Sequence, residues 1–284
     1  MKCKLVDVFA QSKFSGNGLT IFYDLNEVEM TTARILQLTK EMRQFESIFL
    51  FETAAGLRAR IFTMEEELDF AGHPLLGLAA HLHEEKGTAT QHDWTIQLNQ
   101  KSVRLSTQQI ADHYQVTMDQ GKPNFLRTVS SAEAQTILDA FQIPPEYLSA
   151  YPLEVVSTGL DYLLIPLQQG LEQIKANNIN IEPLLQHLGA KFAYLFDVNT
   201  FEGRTWDNEG KVEDIATGSA AGPVGAYLVK HQLAPANQAF SLKQGRLLGR
   251  PSELGLYVEA QGSDIRRCLV SGAVYKIADI HFAL

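Results

Sequence analysis

Two short stretches of this chain set glycine beside groups that can hold an anion or move a proton. Residues 66–77 read EELDFAGHPLLG and residues 212–223 read VEDIATGSAAGP. In each, acidic residues give way to a glycine turn, Gly72-His73-Pro74 in one and Thr217-Gly218-Ser219 in the other, and an apolar stretch follows. The start of a buried helix carries several backbone N–H groups with no partner inside the helix, and the helix dipole makes that end partly positive. Glycine lets a ligand approach the backbone closely. Two such starts facing one cleft would form a double anion clamp suited to a carboxylate. The same pattern fits two plain strand-to-helix turns, because glycine is common there.

Other chemistry-bearing residues fit their motifs poorly. His81 and His83 are two apart, so a helix turns them to different faces, which argues against a metal site. Gly16-Asn17-Gly18 lacks the third glycine and following helix of a dinucleotide fingerprint. In GSAAG, residues 218–222, the serine is misplaced for a G-x-S-x-G nucleophile elbow. The run Glu65-Glu66-Glu67 reads as a solvated turn face.

The elements that must position these turns repeat. Strand-like runs KLVDVFA and LTIFY flank FSGNG, and residues 31–43 place Ile35, Leu36, Leu38 and Met42 at helical spacing. Short β-rich runs follow: SIFLFE, RARIFT, WTIQLN, SVRLST and HYQVTMD. Gly and Pro break the pattern at residues 120–126. Ser130 and Glu133 make a capping box for a helix running to Phe141, and VVSTGLDYLLIPL resumes the strand pattern. FLFE at 49–52 matches YLFD at 194–197, an offset of 194 − 49 = 145; Arg60 matches Arg204, an offset of 144; Gly72 matches Gly218, an offset of 146. Three blocks in one order at nearly one offset point to a duplicated unit about half the chain long. On this alignment Lys191 stands opposite Glu46, and Leu68 opposite Asp214. The segments Pro74–Glu84 and Ala220–Lys230 lack a charged face in their first turns, which marks buried helices. The expected architecture is α+β: two similar domains, residues 1–126 and 127–284, each a mostly antiparallel barrel-like sheet around a central helix. The packing of the last strand, near Ser271–Phe282, stays open.

Bulk properties narrow the function classes. The 284 residues, 45% hydrophobic and 20% charged, can build a core without staples. A net charge of −9 argues against a nucleic-acid surface. Cys3 and Cys268 are read as buried thiols in a reducing cytoplasm rather than a disulfide pair. The N-terminus shows no signal peptide, and no window of about 20 residues is apolar enough to span a membrane.

The motifs FSGNG (14–18), FESIFLF (45–51), RIFT (60–63), ELDFAGHPLLG (67–77), STGLDYLLIPL (157–167) and EDIATGSAAGPVGAYL (213–228) resemble the PhzF family. The resemblance covers the chain from about residue 5 to beyond residue 228. It implies a fold related to diaminopimelate epimerase, an active site between the domains, no metal or organic cofactor, and a homodimer. It implies Glu46 as the catalytic carboxylate, His73 and Asp214 as its partners, and Gly72, Gly218, Ser219 and Asn17 as substrate-binding residues. Ile215 and Gly18 stand where the family usually has proline, a departure that bears on the substrate more than on the chemistry. The related epimerases use two cysteines near the glycine turns; Ala71 and Ile215 occupy about those places here.

Moving a proton beside a carboxylate needs a base and an acid in reach, with donors aimed at the developing charge. One carboxyl group can do both if burial raises its pKa toward neutrality. Glu46 lies between Phe45 and Ile48-Phe49-Leu50, which favours such burial. The expected function is a cofactor-independent isomerase acting on a small carboxylated metabolite. An epimerase or racemase, or a non-catalytic metabolite-binding protein, are the alternatives.

Overall fold

The computed structural model describes residues 1–175 and 180–282. The chain forms two compact units: unit 1 is Met1–Asp119 with Ser271–Leu284, and unit 2 is Gln120–Val270. Unit 1 runs β1 (Lys2–Val8), β2 (Asn17–Tyr23), α1 (Thr32–Met42), β3 (Glu46–Thr53), β4 (Gly56–Phe62), β5 (Glu67–Leu68), α2 (Gly72–Lys86), β6 (Gln91–Gln97), β7 (Ser102–Ile110) and β8 (His113–Gly121). Unit 2 runs β9 (Asn124–Thr128), α3 (Ser131–Phe141), β10 (Glu154–Ser157), β11 (Asp161–Leu167), α4 (Glu182–Leu188), β12 (Phe192–Asp197), β13 (Gly203–Arg204), α5 (Gly218–Lys230), β14 (Ala239–Gln244), β15 (Ser252–Gln261) and the start of β16 (Asp264–His281).

In unit 1 the sheet order β1-β2-β3-β4-β6-β7-β8-β16, with β16 also paired to β1, closes eight strands into a barrel around α2. Alternation drives the closure. On β7, Val103, Leu105 and Thr107 are buried and Ser102, Arg104 and Ser106 are exposed. β2 and β3 are buried on both faces because α1 covers their outer side, where Cys3, Phe22, Phe49 and Phe62 pack with Ile35. Every residue of α2 from Gly72 to His83 is buried. Gly77 is needed there: a Cβ would stand 2.3 Å from Leu19 Cδ2.

Unit 2 repeats the plan. β11 and β12 pair in parallel across α4, as β2 and β3 do across α1. A five-stranded sheet, β9-β10-β11-β12-β13, and the ladder β14-β15-β16 supply the walls, and α5 packs on β15, β10 and β11. α3 carries the expected capping box of Ser130 and Glu133. Both cysteines are buried. The fold class is thus α+β, two barrel-like sheets each built around a central helix.

The ladders correct one step of the internal alignment. Phe49 faces Arg60 and Leu195 faces Arg204. Arg60 grips Glu67, and Arg204 grips Glu213. These matched pairs align Phe49 with Leu195, so the counterpart of Glu46 is Phe192 rather than Lys191. The likeness of FLFE to YLFD had drawn the match one residue off. Glu67 is also no solvated turn residue: it sits in β5, half-buried against Arg60, while Glu65 and Glu66 are exposed.

Carried across the neighbouring ladders, the same register aligns Leu19 with Tyr162, Val6 with Val156, and Lys4 with Glu154. Lys4 is buried in unit 1 and bonded to Glu84 and Glu85, the latter at 3.2 Å. Glu154 is buried in unit 2 and bonded to Lys230 at 2.7 Å and His231 at 3.2 Å. Counting from Gly72 and Gly218, Glu84 and Glu85 correspond to Lys230 and His231. The two units therefore hold the far ends of their central helices with the same ionic contact, reversed in sign.

Candidate active site

Glu46 opens β3, opposite Leu19 of the parallel neighbour β2, and its side chain is buried. His73 is the second residue of α2. The residue before the helix, Ala71, has no side chain able to cap it, so the first turn keeps its backbone donors for something else. His73 Nδ1 lies 3.3 Å from Glu46 Oε2 and 3.5 Å from the Asn17 amide nitrogen. Asn17 begins β2 and is itself buried. Three of the residues expected at the site thus meet inside unit 1, and Gly72 adjoins them in sequence.

Burial lowers the His73 pKa to about 3, so the imidazole is neutral near pH 7. Its Nε2 is buried with no hydrogen-bond partner among the described residues. The two contacts of Nδ1 call for different tautomers: the Asn17 amide nitrogen can only donate and needs Nδ1 bare, whereas donation to the Glu46 carboxylate needs Nδ1 protonated.

In unit 2, Asp214 precedes α5 and is buried. Its N–H donates to Thr205 O at 3.0 Å, and its Oδ2 accepts the Thr217 hydroxyl at 2.6 Å. Thr217 stands in the N-cap position of α5 but makes no side-chain cap bond; its hydroxyl serves Asp214 instead. Gly218 is the first residue of α5, and its carbonyl accepts Gln120 Nε2 at 2.8 Å. Ser219 sits in the first turn, its hydroxyl 2.7 Å from that of Tyr162. The second set is therefore an uncapped helix start with a fixed carboxylate beside it and a serine tied to the strand wall.

Reading the sequence missed Tyr162, Thr217, Gln120 and Gln244. Tyr162 and Thr217 lie inside quoted motifs, but strand pattern and turn composition absorbed them. Gln244 ends β14, 27 residues after Thr217, and no local spacing announces it. His81 and His83 go separate ways: His83 bonds Thr107 and Ala89 O, while His81 packs on the Tyr23 ring. Among the described residues no group of three or more His, Cys, Asp or Glu is placed to hold a metal ion, and no helix is long and apolar enough to cross a membrane.

A family model described as phenazine biosynthesis-like protein, PhzC-PhzF, matches residues 6–278. The chain belongs to the PhzF family. It is 31% identical, over 94% of each chain, to a trans-2,3-dihydro-3-hydroxyanthranilate isomerase of Pseudomonas aeruginosa. It is 25% identical to an isomerase of Escherichia coli described as uncharacterized, over 98% of this chain and 97% of that one. A solved structure described as a predicted epimerase of Pseudomonas aeruginosa shares 44% identity and a TM-score of 0.93, covering 100% of this chain and 99% of that one. A hydroxyproline epimerase of Agrobacterium vitis, 11% identical, shares the fold with a TM-score of 0.63 over 99% of this chain and 91% of its own. This PhzF-family chain is an isomerase that acts on a small molecule.

Proposed function

We propose that this PhzF-family chain moves a proton between two carbons of a small carboxylate-bearing metabolite, without a cofactor. Glu46 is the proton shuttle: it takes a proton from one carbon and returns it to another. Neutral His73 lies against that carboxylate on its Nδ1 side, and Asn17 lies beside the same ring nitrogen. Asp214 orients an amine or hydroxyl of the substrate. Ser219 and the backbone at Gly72 and Gly218 hold its carboxylate, as helix starts hold anions. The observation that carries the reading is the buried contact of Glu46 with His73 at the uncapped start of α2. The relative named for trans-2,3-dihydro-3-hydroxyanthranilate, a ring carboxylate bearing an amine and a hydroxyl, supports this substrate class. The buried thiols fit a cytoplasmic enzyme, and the family resemblance supports a homodimer.

A second reading, epimerisation on the same scaffold, draws on the 44% identical structure described as an epimerase. Ala71 and Ile215 leave it without the two thiols of a cysteine pair, so Glu46 would have to work with another proton carrier.

Deuterium wash-in separates these readings. Wild type and Glu46→Gln are incubated in D₂O with trans-2,3-dihydro-3-hydroxyanthranilate and a pool of carboxylic and amino acids, then read by mass spectrometry and chiral chromatography. Deuterium at a new carbon, with wild type only, supports the isomerase. Inversion at a labelled centre supports the epimerase. Equal label with Glu46→Gln would remove Glu46 as the shuttle.

A further inference from the structure

Gln244 is a neutral side chain sealed inside unit 2 with all four of its hydrogen-bonding positions in use. Its Oε1 accepts the Tyr194 hydroxyl at 2.9 Å and the Thr217 N–H at 3.0 Å. Its Nε2 donates to Asp214 O at 2.8 Å and to Thr217 Oγ1 at 3.0 Å. The backbone donor on one side and the backbone acceptor on the other fix which end of the amide is oxygen. A buried amide this far from solvent is retained where it specifies an arrangement.

The direction of each proton follows. Thr217 Oγ1 already accepts from Gln244 Nε2, so its own proton is left for Asp214 Oδ2, at 2.6 Å. That distance lies at the short side of ordinary hydroxyl bonds and within the span of a hydroxyl bonded to an ionised carboxylate. Tyr194 cannot reverse the chain by ionising, because burial raises its pKa well above the ordinary value. It is held in turn by close packing: a Cβ on Gly203 would stand 2.3 Å from the Tyr194 ring and hydroxyl. The neighbouring carboxylate, Glu213, is committed to Arg204 at 2.8 Å.

We propose that Gln244, acting through Thr217, is a positioning residue that aims the Asp214 carboxylate and holds it ionised. The proposal rests on the reading of Asp214 as a substrate-orienting group. Gln244 touches no substrate. It closes the turn of residues 214–217 from behind, so the carboxylate reaches its working direction before a substrate arrives, which saves the cost of ordering it on binding.

The test uses the full-length protein with ¹³C-labelled aspartate. The Asp214 carboxyl signal is assigned by its loss in Asp214→Asn, then titrated in wild type, Thr217→Val, Thr217→Ser and Gln244→Glu. Thr217→Val removes the donor while keeping the shape. Gln244→Glu removes the Nε2 donor and draws the threonine proton to itself. Both variants are expected to raise the Asp214 midpoint by about one unit or more, as loss of a hydrogen bond to an ionised carboxylate does. Thr217→Ser is expected to restore it. An unmoved midpoint in Thr217→Val and Gln244→Glu overturns the relay, and if Gln244→Glu fails to fold, Thr217→Val against Thr217→Ser decides alone. Deuterium wash-in from trans-2,3-dihydro-3-hydroxyanthranilate by Asp214→Asn keeps the parent reading separate. Full wash-in there overturns the substrate role of Asp214, and the relay then lacks a catalytic purpose. Lost wash-in with an unmoved midpoint overturns the relay alone.

Discussion

Two buried histidines make the stability of this chain depend on pH in a definite direction. Burial lowers His73 to about 3 and His81 to about 4, from an ordinary value of 6.5. Lys4 adds to the effect at His81. Above pH 6.5 both are neutral, folded or unfolded, and nothing is lost. Below it the unfolded chain binds protons that the folded chain refuses, so stability falls as pH falls from 6.5 toward 4. The expected loss is about 2 kcal/mol per histidine at pH 5, from about 1.4 kcal/mol per unit. Urea unfolding at pH 7, 6 and 5 reads it. His81→Gln, which removes one of the two groups, is expected to reduce the slope by about half, and an unchanged slope would show that His81 does not contribute. The same burial has a catalytic counterpart. If neutral His73 donates from Nδ1 to Glu46, His73→Phe removes that donor and is expected to lower turnover by about 100-fold. His73→Asn keeps a donor and is expected to retain more, in the wash-in assay. His73 and Glu46 were legible in the sequence as members of motifs that resemble the PhzF family, and Gly-His-Pro at an apolar run marked a buried helix start; His81 was legible only as unfit for a metal site. The partners of motif residues were less so. The bond between Tyr162 and Ser219 joins residues 57 apart, and pattern reading of a strand returns a face, not a hydrogen bond.

The central helices show where helix and strand patterns carried the reading and where they failed. α2 and α5 were legible because small apolar residues run around their whole circumference. Several strands were legible as short β-rich runs, and on β7 buried and exposed residues do alternate. The pairing between strands was not legible, since ladder register depends on partners far along the chain; hence the one-residue error that matched Glu46 to Lys191. Corrected register exposes the reversed ionic contacts of Lys4 with Glu84 and Glu85, and of Glu154 with Lys230 and His231. The unit 2 version also suits the helix dipole, with Lys230 at the C-terminal end; the unit 1 version needs Lys4, and Lys276 at Glu84, to offset two acidic residues there. Each helix is thereby matched to its own barrel, because α5 in the unit 1 barrel would set Lys230 against buried Lys4. Lys4→Glu places a third carboxylate beside two others and is expected to cost about 3 kcal/mol or more. Lys4→Met only leaves Glu84 and Glu85 partly hydrated and is expected to cost less. Lys4→Glu combined with Glu85→Lys is expected to recover part of the loss, while Glu84 keeps Lys276. Equal melting temperatures for Lys4→Glu and Lys4→Met would show that charge complementarity is not what the contact supplies.

Chain connectivity makes one demand that no local pattern reveals. The barrel of unit 1 is closed by β16, whose residues Lys276–His281 pair with β1 from Lys2 to Val6, at the opposite end of the sequence. Where Ser271–Phe282 packs could not be settled from the sequence, because an alternating strand fits either sheet equally well. Within unit 1 the consequence is specific. Without this strand, β1 and β8 become open edges, and Gly272 no longer packs on Phe9, where a Cβ would stand 2.3 Å from the ring. An open barrel edge exposes unpaired backbone groups and apolar surface. Closing it late joins contacts of very high sequence separation, which makes this step slow. A chain ending at Val270 is therefore expected to lose the unit 1 core while retaining structure in unit 2. The two tryptophans report the outcome separately, because Trp94 is buried in unit 1 and Trp206 belongs to unit 2. In Trp206→Phe, truncation at Val270 is expected to shift Trp94 emission toward that of exposed indole and to collapse protection of β1 amides in hydrogen exchange. In Trp94→Phe, the same truncation is expected to leave Trp206 emission near its full-length value. A synthetic peptide of residues 271–284 added in trans is expected to restore the Trp94 signal. Native Trp94 emission in the truncated chain would mean that the seven remaining strands hold the helix unaided, and that β16 closes unit 1 without being required to fold it.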